Sequence, residues 1–140
     1  MIEKSTFKFL GYKIPKVEMS VADDFCNNQA EPIEIVDDFS LGYGIDPEEP
    51  RLVEVLLTVK LKDKNEKFSF IVQIKGGFMA HKDMPEELFK NLYTKNAPAI
   101  LYPYARAIVS NYMVLANIPP YLLPLINLTK NEEAEKIEKK

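Results

Sequence analysis

The sequence has few of the residues that mark extracellular, redox-active or nucleic-acid-binding proteins. Its 140 residues include no tryptophan, one histidine and one cysteine. The single Cys26 excludes an internal disulfide and fits a reducing compartment. Basic residues number 18 against 21 acidic ones, and no dense lysine or arginine cluster appears. Because phosphate backbones are bound through basic patches, this balance argues against a nucleic-acid partner.

The sequence also lacks the residue patterns of common catalytic and metal sites. No Ser–His–Asp set can be assembled around His81. Cys26 has neither a CxxC partner nor metal-ligand spacing. The pair Gly76-Gly77 is too short for a phosphate-cradling loop. An enzyme acting on a small molecule would need titratable residues clustered in an apolar pocket, and the chain offers few. We therefore expect no enzyme activity, no cofactor and no metal.

Signals for secretion and membrane insertion are weak. The first residues lack the apolar core of a signal peptide. The longest apolar stretch, residues 96–125, has Arg106 as its one charged residue. It is long enough to span a bilayer, but prolines and asparagines interrupt it, whereas spans usually contain about 20 consecutive apolar residues. We expect a cytoplasmic globular protein with one domain.

Alternating apolar residues dominate the first half of the chain. Residues 6–21 are predicted to form a long strand, with Gly11 and Pro15 as natural bulge or edge positions. A second strand follows at residues 33–36. Residues 51–78 give the clearest hairpin, because two runs with a period of two flank a turn at residues 63–66. Residues 37–50 are rich in glycine, proline and acid, and we interpret them as a loop that carries large apolar side chains.

The pattern changes to a helical one near residue 85. Pro85, followed by Glu86 and Glu87, suits a helix start. Asn96 is predicted to cap a second helix, which Pro103 should kink or split and which ends near residue 117. The predicted fold is α+β: a four-stranded antiparallel sheet followed by a kinked long helix. We divide the chain into a domain at residues 1–128 and a charged, flexible tail at residues 129–140.

The long helix is apolar almost all the way round. A helix of this kind must be buried on nearly every side, and one sheet face covers only one side. With no second domain available, the second covering surface is predicted to be another copy of the chain. The predicted interface residues are Tyr102, Tyr104, Ile108, Val109, Tyr112 and Met113.

The same helix resembles the helix signature of the export chaperone family SecB. In that family a proline precedes an aliphatic–aromatic–Pro–Tyr–Ala–Arg run, an apolar helix and an Ile–Pro segment. The segment Lys75-Gly76-Gly77-Phe78 is similar to the end of the family's fourth strand. The residues that match the helix signature are Pro98, Ile100, Leu101, Tyr102, Pro103, Tyr104, Ala105, Arg106, Ile118, Pro119, Leu125, Ile126 and Asn127.

The resemblance implies a homotetramer that holds non-native polypeptides in hydrophobic grooves without ATP and delivers preproteins to the translocase ATPase. It equally allows a dedicated chaperone of one partner, such as an antitoxin. Family members commonly end in a second long helix and a tail that docks the ATPase, whereas residues 129–140 are short and mixed in charge. The acidic sheet patch used for docking also cannot be matched residue by residue. The sequence therefore leaves the client, the ATPase contact and the choice between tetramer and dimer open.

A holding chaperone needs apolar surface that accepts extended segments, rimmed by charge. The apolar residues of the predicted loop, the strand before it and the segment after the sheet suit this role, and Tyr93 is expected in the wall that faces the loop. For Leu88 and Phe89 the competing interpretation is packing on the sheet, and for Arg106 a structural ion pair is expected. The predicted groove residues are Ile33, Ile35, Phe39, Leu41, Tyr43, Ile45, Met79, Met84, Leu88 and Phe89. Tyr121, Leu122 and Leu123 form a third apolar patch.

Overall fold

The computed structural model describes residues 6–25, 34–118 and 135–136. Ile33, Cys26 and the apolar patch at residues 121–123 lie outside these ranges, as does most of the predicted tail. The strands are β1 (Phe7–Val21), β2 (Ile35–Ile45), β3 (Leu52–Asp63), β4 (Phe68–Ala80) and the two-residue β5 (Glu135–Lys136). The helices are α1 (Glu86–Asn91) and α2 (Ala97–Leu115), joined by a π-helical turn at Leu92–Asn96.

The strands form one sheet in the order β1-β4-β3-β2-β5. The first four are antiparallel, while β5 pairs in parallel with Gly42 and Tyr43 of β2. The turn between β3 and β4 is held by Asp63, whose Oδ1 accepts a 2.7 Å hydrogen bond from the Phe68 N–H. A four-stranded antiparallel sheet followed by one long helix is therefore confirmed.

The prediction of a loop over residues 37–50 is wrong in its first part. β2 runs without a break to Ile45 and pairs with β3 as far as Ile45↔Val53. Gly42, Gly44 and the paired aspartates have low strand propensity and suggested a loop. Pairing with the strongly apolar β3 overrides that propensity, because strand preference depends mainly on packing against neighbours. The actual turn is short, and Asp46 Oδ1 accepts the backbone N–H groups of Glu48 and Glu49.

The helical segment is continuous where the sequence suggested two helices. Asn96 lies in the right-handed helical region and makes no side-chain cap, so the capping prediction is wrong. The chain widens into the π turn, and the Ala97 N–H bonds the Leu92 carbonyl. This widening directly precedes Pro98, which has no N–H to donate. Pro103 lies inside α2 and does not split it.

The core lies between α2 and one face of the sheet, which we call the inner face. It consists of alternate residues from all four long strands, including Phe70, Phe78 and Leu57. α2 contributes a row spaced by four residues: Ala97, Leu101, Ala105, Val109 and Met113, each at most 1% exposed. Such a row stays on one side of a helix, so this side is covered by the sheet.

Within the described ranges, neither helix has the length and hydropathy of a bilayer-spanning segment.

Candidate functional site

α2 leaves part of the inner face open along β2. The helix packs closely over the middle of the sheet, where a Cβ added at Gly76 would lie 2.7 Å from Leu101 Cδ2. The inward side chains of β2 are only half-buried, apart from Leu41 at 5% exposed. The result is an apolar surface between helix and strand that we call the β2 trough. It is formed by Ile35, Phe39, Tyr43 and Ile45 of β2, facing Tyr93 and Tyr102 on the helical side.

Two aromatic pairs join the walls of the trough. The rings of Tyr43 and Tyr93 have their centroids 4.8 Å apart, and those of Phe39 and Tyr102 are 5.7 Å apart in an edge-on arrangement. Phe39 and Tyr43 are four residues apart on β2 and therefore share a face. The trough is thus a strip with aromatic rings at a spacing that an extended peptide can match.

The tyrosines of the helical wall keep their hydroxyl groups neutral. Burial raises the pKa of Tyr93, and the neighbouring Tyr43 and Glu86 raise it further. The pKa of Tyr102 is also raised, mainly by burial. The Arg106 guanidinium partly lowers this pKa, and the Asp37 carboxylate raises it. Arg106 and Asp37 therefore both lie within electrostatic range of the Tyr102 hydroxyl, and the trough passes from aromatic to charged at this end.

Arg51 fixes the other end of the helical wall. Its Nη2 donates a 2.7 Å hydrogen bond to the Met84 carbonyl, and its Nη1 lies 3.1 Å from the Glu86 carboxylate. The guanidinium also lies 5.2 Å from the centre of the Phe89 ring. These contacts hold the start of α1 against β3, and so position Tyr93 over the trough.

The structure divides the predicted groove residues into four groups. Ile35, Phe39, Tyr43 and Ile45 line the trough together. Leu41, Met84 and Phe89 are at most 5% exposed and belong to the core, so their side chains do not contribute to an open groove surface. Leu88 is 39% exposed but lies apart, on the side of α1 away from the core. Met79 pairs with Leu52 on the opposite, outer face of the sheet, and Ile33 lies outside the described residues.

The predicted interface residues lie on two different sides of α2. Tyr102, Val109 and Met113 are buried against the sheet. The outward residues form what we call the exposed helix face: Ile100, Tyr104, Tyr112 and Leu115, of which Leu115 is 82% exposed. Ile108 is half-buried and packs against the core. Tyr12 of β1 continues the exposed helix face, with its ring 4.4 Å from that of Tyr104.

Sequence reasoning expected Tyr93 in the wall that faces the groove, but it assigned Tyr102 to the oligomer interface and missed Tyr12 and Ile14 as part of the uncovered surface. For Tyr12 and Ile14 the disturbed apolar phase of β1 was a usable signal. In the structure the pairing register of β1 with β4 shifts before Tyr12, between Phe9 and Gly11, and again around Ile14, between Lys13 and Lys16. The exact position of Tyr93 could not be predicted from helical periodicity, because Tyr93 lies within the π turn.

The charged residues on the outer face of the sheet are mostly lysines. Lys13 of β1 lies directly opposite Lys75 of β4, an arrangement that unscreened like charges disfavour. The strand register places these charged residues on this face: Lys8, Lys13, Lys16, Lys60, Lys62 and Lys75, with Glu18, Asp38 and Glu54. Lysines thus outnumber carboxylates here, although the whole chain carries a net charge of −3.

Comparison with known proteins agrees with this architecture. The profile of the family described as preprotein translocase subunit SecB matches residues 15–132. The protein-export protein SecB of Neisseria meningitidis is 36% identical over 88 residues, covering 59% of this chain and 60% of the relative. That of Psychrobacter arcticus is 33% identical over 76 residues, covering 53% and 51%. The matched segments thus span only 51–60% of these two relatives.

A solved structure shares the fold. The SecB-like chaperone of Mycobacterium tuberculosis, in complex with a ChAD peptide from an antitoxin, superposes with a TM-score of 0.72. The alignment covers 86% of this chain and 90% of the other at 17% sequence identity. At this identity the similarity shows the fold.

Proposed function

Since the chain belongs to the SecB family, we propose that it is an ATP-independent chaperone that holds non-native polypeptides, and that it is not an enzyme. The observation that carries the proposal is the β2 trough. Its inward side chains, apart from Leu41, are half-buried, and they lie beside the helix on a strand whose two aromatic residues are four positions apart on one face. A surface of this kind accepts extended apolar segments with little demand on their sequence.

The physical basis of holding is the apolar surface that a client protein exposes to water. An unfolded client presents aromatic and aliphatic side chains that the trough removes from water, at about 25 cal/mol per Å² of apolar surface buried. A folded client has already buried those side chains. Selection of the non-native form therefore needs no nucleotide, because it follows from what each form of the client exposes.

The proposal extends to assembly and location. The exposed helix face suits packing against a second copy, and we propose a homotetramer built as a dimer of dimers in the cytoplasm. Preproteins are the proposed clients. The translocase ATPase is proposed as a partner that receives them.

A dedicated chaperone for a single partner is the second candidate, and the outer face of the sheet favours it. The family resemblance implies an acidic sheet patch for docking the ATPase, whereas lysines outnumber carboxylates on this face. The Mycobacterium tuberculosis protein of the same fold was solved with an antitoxin peptide. An antitoxin segment would use the same trough, with sharper selectivity than a general client.

The trough proposal is tested by a pair of substitutions on one strand. Phe39→Ser removes an aromatic residue from the trough, and Val36→Ser removes an apolar residue that is 53% exposed on the outer face of β2. We expect Phe39→Ser to weaken binding of a chemically unfolded polypeptide about tenfold or more, while Val36→Ser leaves it unchanged. Equal affinity of both variants would contradict the role of the trough.

The same assay separates the two candidate functions. Binding of several unrelated unfolded polypeptides with similar affinity supports general holding. Binding of only one antitoxin-type segment, with the others ignored, supports the dedicated chaperone.

A further inference from the structure

The excess of lysines on the outer face of the sheet has no role in the proposed holding function. This excess lies at one end of the face. At the other end the charges are matched, because Lys60 lies opposite Asp38, and Lys62 Nζ lies 3.5 Å from Glu66 Oε1. The unmatched lysines therefore form a separate surface.

The unmatched lysines lie on β1 and β4, and we call them the lysine patch: Lys8, Lys13, Lys16 and Lys75. Lys13 and Lys75 lie directly opposite each other, and neither forms an ion pair with a carboxylate of residues 6–25 and 34–118. Lys16 has an exposed partner, because its Nζ lies 3.7 Å from Glu18 Oε2. Like charges directly opposite each other destabilise a strand pair, so the arrangement of Lys13 and Lys75 opposes folding.

Two irregularities in β1 bring its lysines to one face. In a regular strand, residues separated by an odd number of positions point to opposite faces. Both separations in the series Lys8, Lys13 and Lys16 are odd, yet the pairing with β4 places all three on the outer face. One extra residue at each register shift, after Phe9 and again after Lys13, accounts for this. Gly11, at the first shift, has a φ of 118°. The irregular backbone thus concentrates positive charge on the outer face.

Apolar side chains border the lysine patch on the same face. Leu56 of β3 lies opposite Lys75, and Leu52 of β3 lies opposite Met79 of β4. Leu10 of β1 is 51% exposed at the margin of this group. A ligand that matches the whole surface therefore needs negative charge together with apolar side chains.

We propose that the lysine patch docks an acidic segment of a partner protein, one that carries apolar residues beside its carboxylates. The carboxylates neutralise the opposed Lys13 and Lys75, and the apolar residues cover Leu56 and Leu10. The patch and the β2 trough lie on opposite faces of the sheet. A partner and a client can therefore bind at the same time, and the proposal does not rest on the holding function.

The size and surroundings of the patch favour a peptide over a nucleic acid or an anionic membrane. Both of these ligands are polyanions that extend well beyond four lysines. Glu18 of β1 and Glu54 of β3 lie at the margins of the patch, and the whole chain carries a net charge of −3. An extended polyanion meets this negative charge, whereas a segment with two or three carboxylates stays within the patch.

The experiment uses the full chain and labelled peptides with blocked ends. The acidic peptide is Ser-Asp-Leu-Leu-Asp-Asp-Ser, in which both faces of the extended chain present aspartate and leucine. Two matched peptides replace every Asp by Asn or by Lys. Affinities are measured by fluorescence anisotropy for the unsubstituted protein and for the double variant Lys13→Gln with Lys75→Gln. The control double variant, Lys60→Gln with Lys62→Gln, removes the same charge at the matched end of the face.

We expect the acidic peptide to bind the unsubstituted protein about tenfold more tightly than either matched peptide. The Lys13 and Lys75 double variant should lose this preference, and the Lys60 and Lys62 double variant should keep it. Equal affinity of the acidic and Asn peptides for the unsubstituted protein would overturn the proposal. So would equal loss in both double variants, because that is the result of unspecific charge attraction. The trough variant Phe39→Ser should bind the acidic peptide normally, and a loss there would place the peptide in the trough instead.

Competition distinguishes a peptide from the polyanions. Phosphatidylglycerol vesicles and a single-stranded DNA oligonucleotide, each at the same concentration of negative charge as unlabelled acidic peptide, should displace the labelled peptide less well than that peptide does. Better displacement by either polyanion would overturn the assignment to a peptide. The holding function is measured separately with an unfolded polypeptide, so failure of one proposal leaves the other standing.

Discussion

At the scale of single residues, the contact between helix and sheet depends on a missing side chain. Gly76 lies in β4 directly below Leu101, and the backbone at this position has an ordinary strand conformation. The glycine is therefore needed for close approach rather than for its conformational freedom. The neighbouring Gly77 points to the outer face, where an added Cβ would have only an ordinary 3.8 Å contact with Leu10.

Adding one methyl group at each glycine tests this difference. We expect Gly76→Ala to lower the free energy of unfolding by about 1–3 kcal/mol, because Leu101 is fully buried and must move within a packed core. Gly77→Ala should change it by at most about 0.5 kcal/mol. Urea denaturation of both variants measures the effect, and equal stability of the two would show that the core has room at Gly76.

The buried hydroxyl of Tyr102 gives a pH-dependent effect. Its folded-state pKa is raised above the unfolded value of about 10, so its contribution to stability is fully present below that pH. The contribution is lost as the pH rises through the folded pKa. Tyr102→Phe removes the ionisable group, and the variant should lose less stability than the unsubstituted protein between pH 8 and pH 11. Parallel loss in both proteins, measured by thermal unfolding, would show that Tyr102 ionises as freely as in the unfolded chain.

At the scale of elements, the sequence predicts well where one pattern dominates and poorly where two compete. β3 and β4 follow from clear alternation, and their pairing follows from the turn at Asp63. β1 was predicted as a strand in spite of its disturbed phase, but its pairing with β4 is long-range and does not follow from a turn. β2 was missed beyond residue 36 because Gly42 and Gly44 are typical of loops, while the pairing that overrides them is long-range. The π turn before Pro98 was not predictable from helical periodicity, and it determines where Tyr93 lies.

The end of α2 is set by Asn117. Its φ of 60° places it in the left-handed region, and the Ile118 N–H bonds the Met113 carbonyl while the Asn117 N–H bonds that of Val114. This is the Schellman arrangement, closed by the buried pair Met113 and Ile118.

We expect Asn117→Val to destabilise the protein by about 1–2 kcal/mol, because a β-branched residue is strained in the left-handed region. Asn117→Gly should be neutral or slightly stabilising, since glycine adopts this conformation without a Cβ clash. Circular dichroism with thermal unfolding measures both variants. If valine and glycine proved equivalent, the helix end would not depend on the conformation of residue 117.

At the scale of the whole molecule, the described chain covers one side of its long helix and leaves the other apolar. The prediction that α2 needs a second surface came from its composition alone, and the exposed helix face supports it. The sequence could not tell which residues face which way, because Tyr102, Val109 and Met113 share the helix with Tyr104 and Tyr112. Their division depends on which side of α2 is turned toward the sheet, and that is set by the row Ala97, Leu101, Ala105, Val109 and Met113. The residues of the trough were predicted only in part, because the sequence likewise does not show which helical side chains face β2.

If copies of the chain associate through the exposed helix face, a charge introduced on that face should lower the mass of the native assembly. Leu115→Asp places a charge at a residue that is 82% exposed in the single chain, so folding of the chain should be unaffected. We expect the variant to have a smaller mass than the unsubstituted protein in light scattering coupled to gel filtration. Val36→Asp, on the outer face, is the matched control and should retain the larger mass. An unchanged mass for Leu115→Asp would place the interface elsewhere.

The central claim is that the protein binds polypeptides in their non-native form. The most direct measurement is the affinity of the purified protein for a chemically unfolded, slowly refolding polypeptide, without nucleotide and with the native form of that polypeptide as control. The account predicts binding to the unfolded form alone. Equal binding to both forms, or to neither while the protein itself is folded, would contradict it.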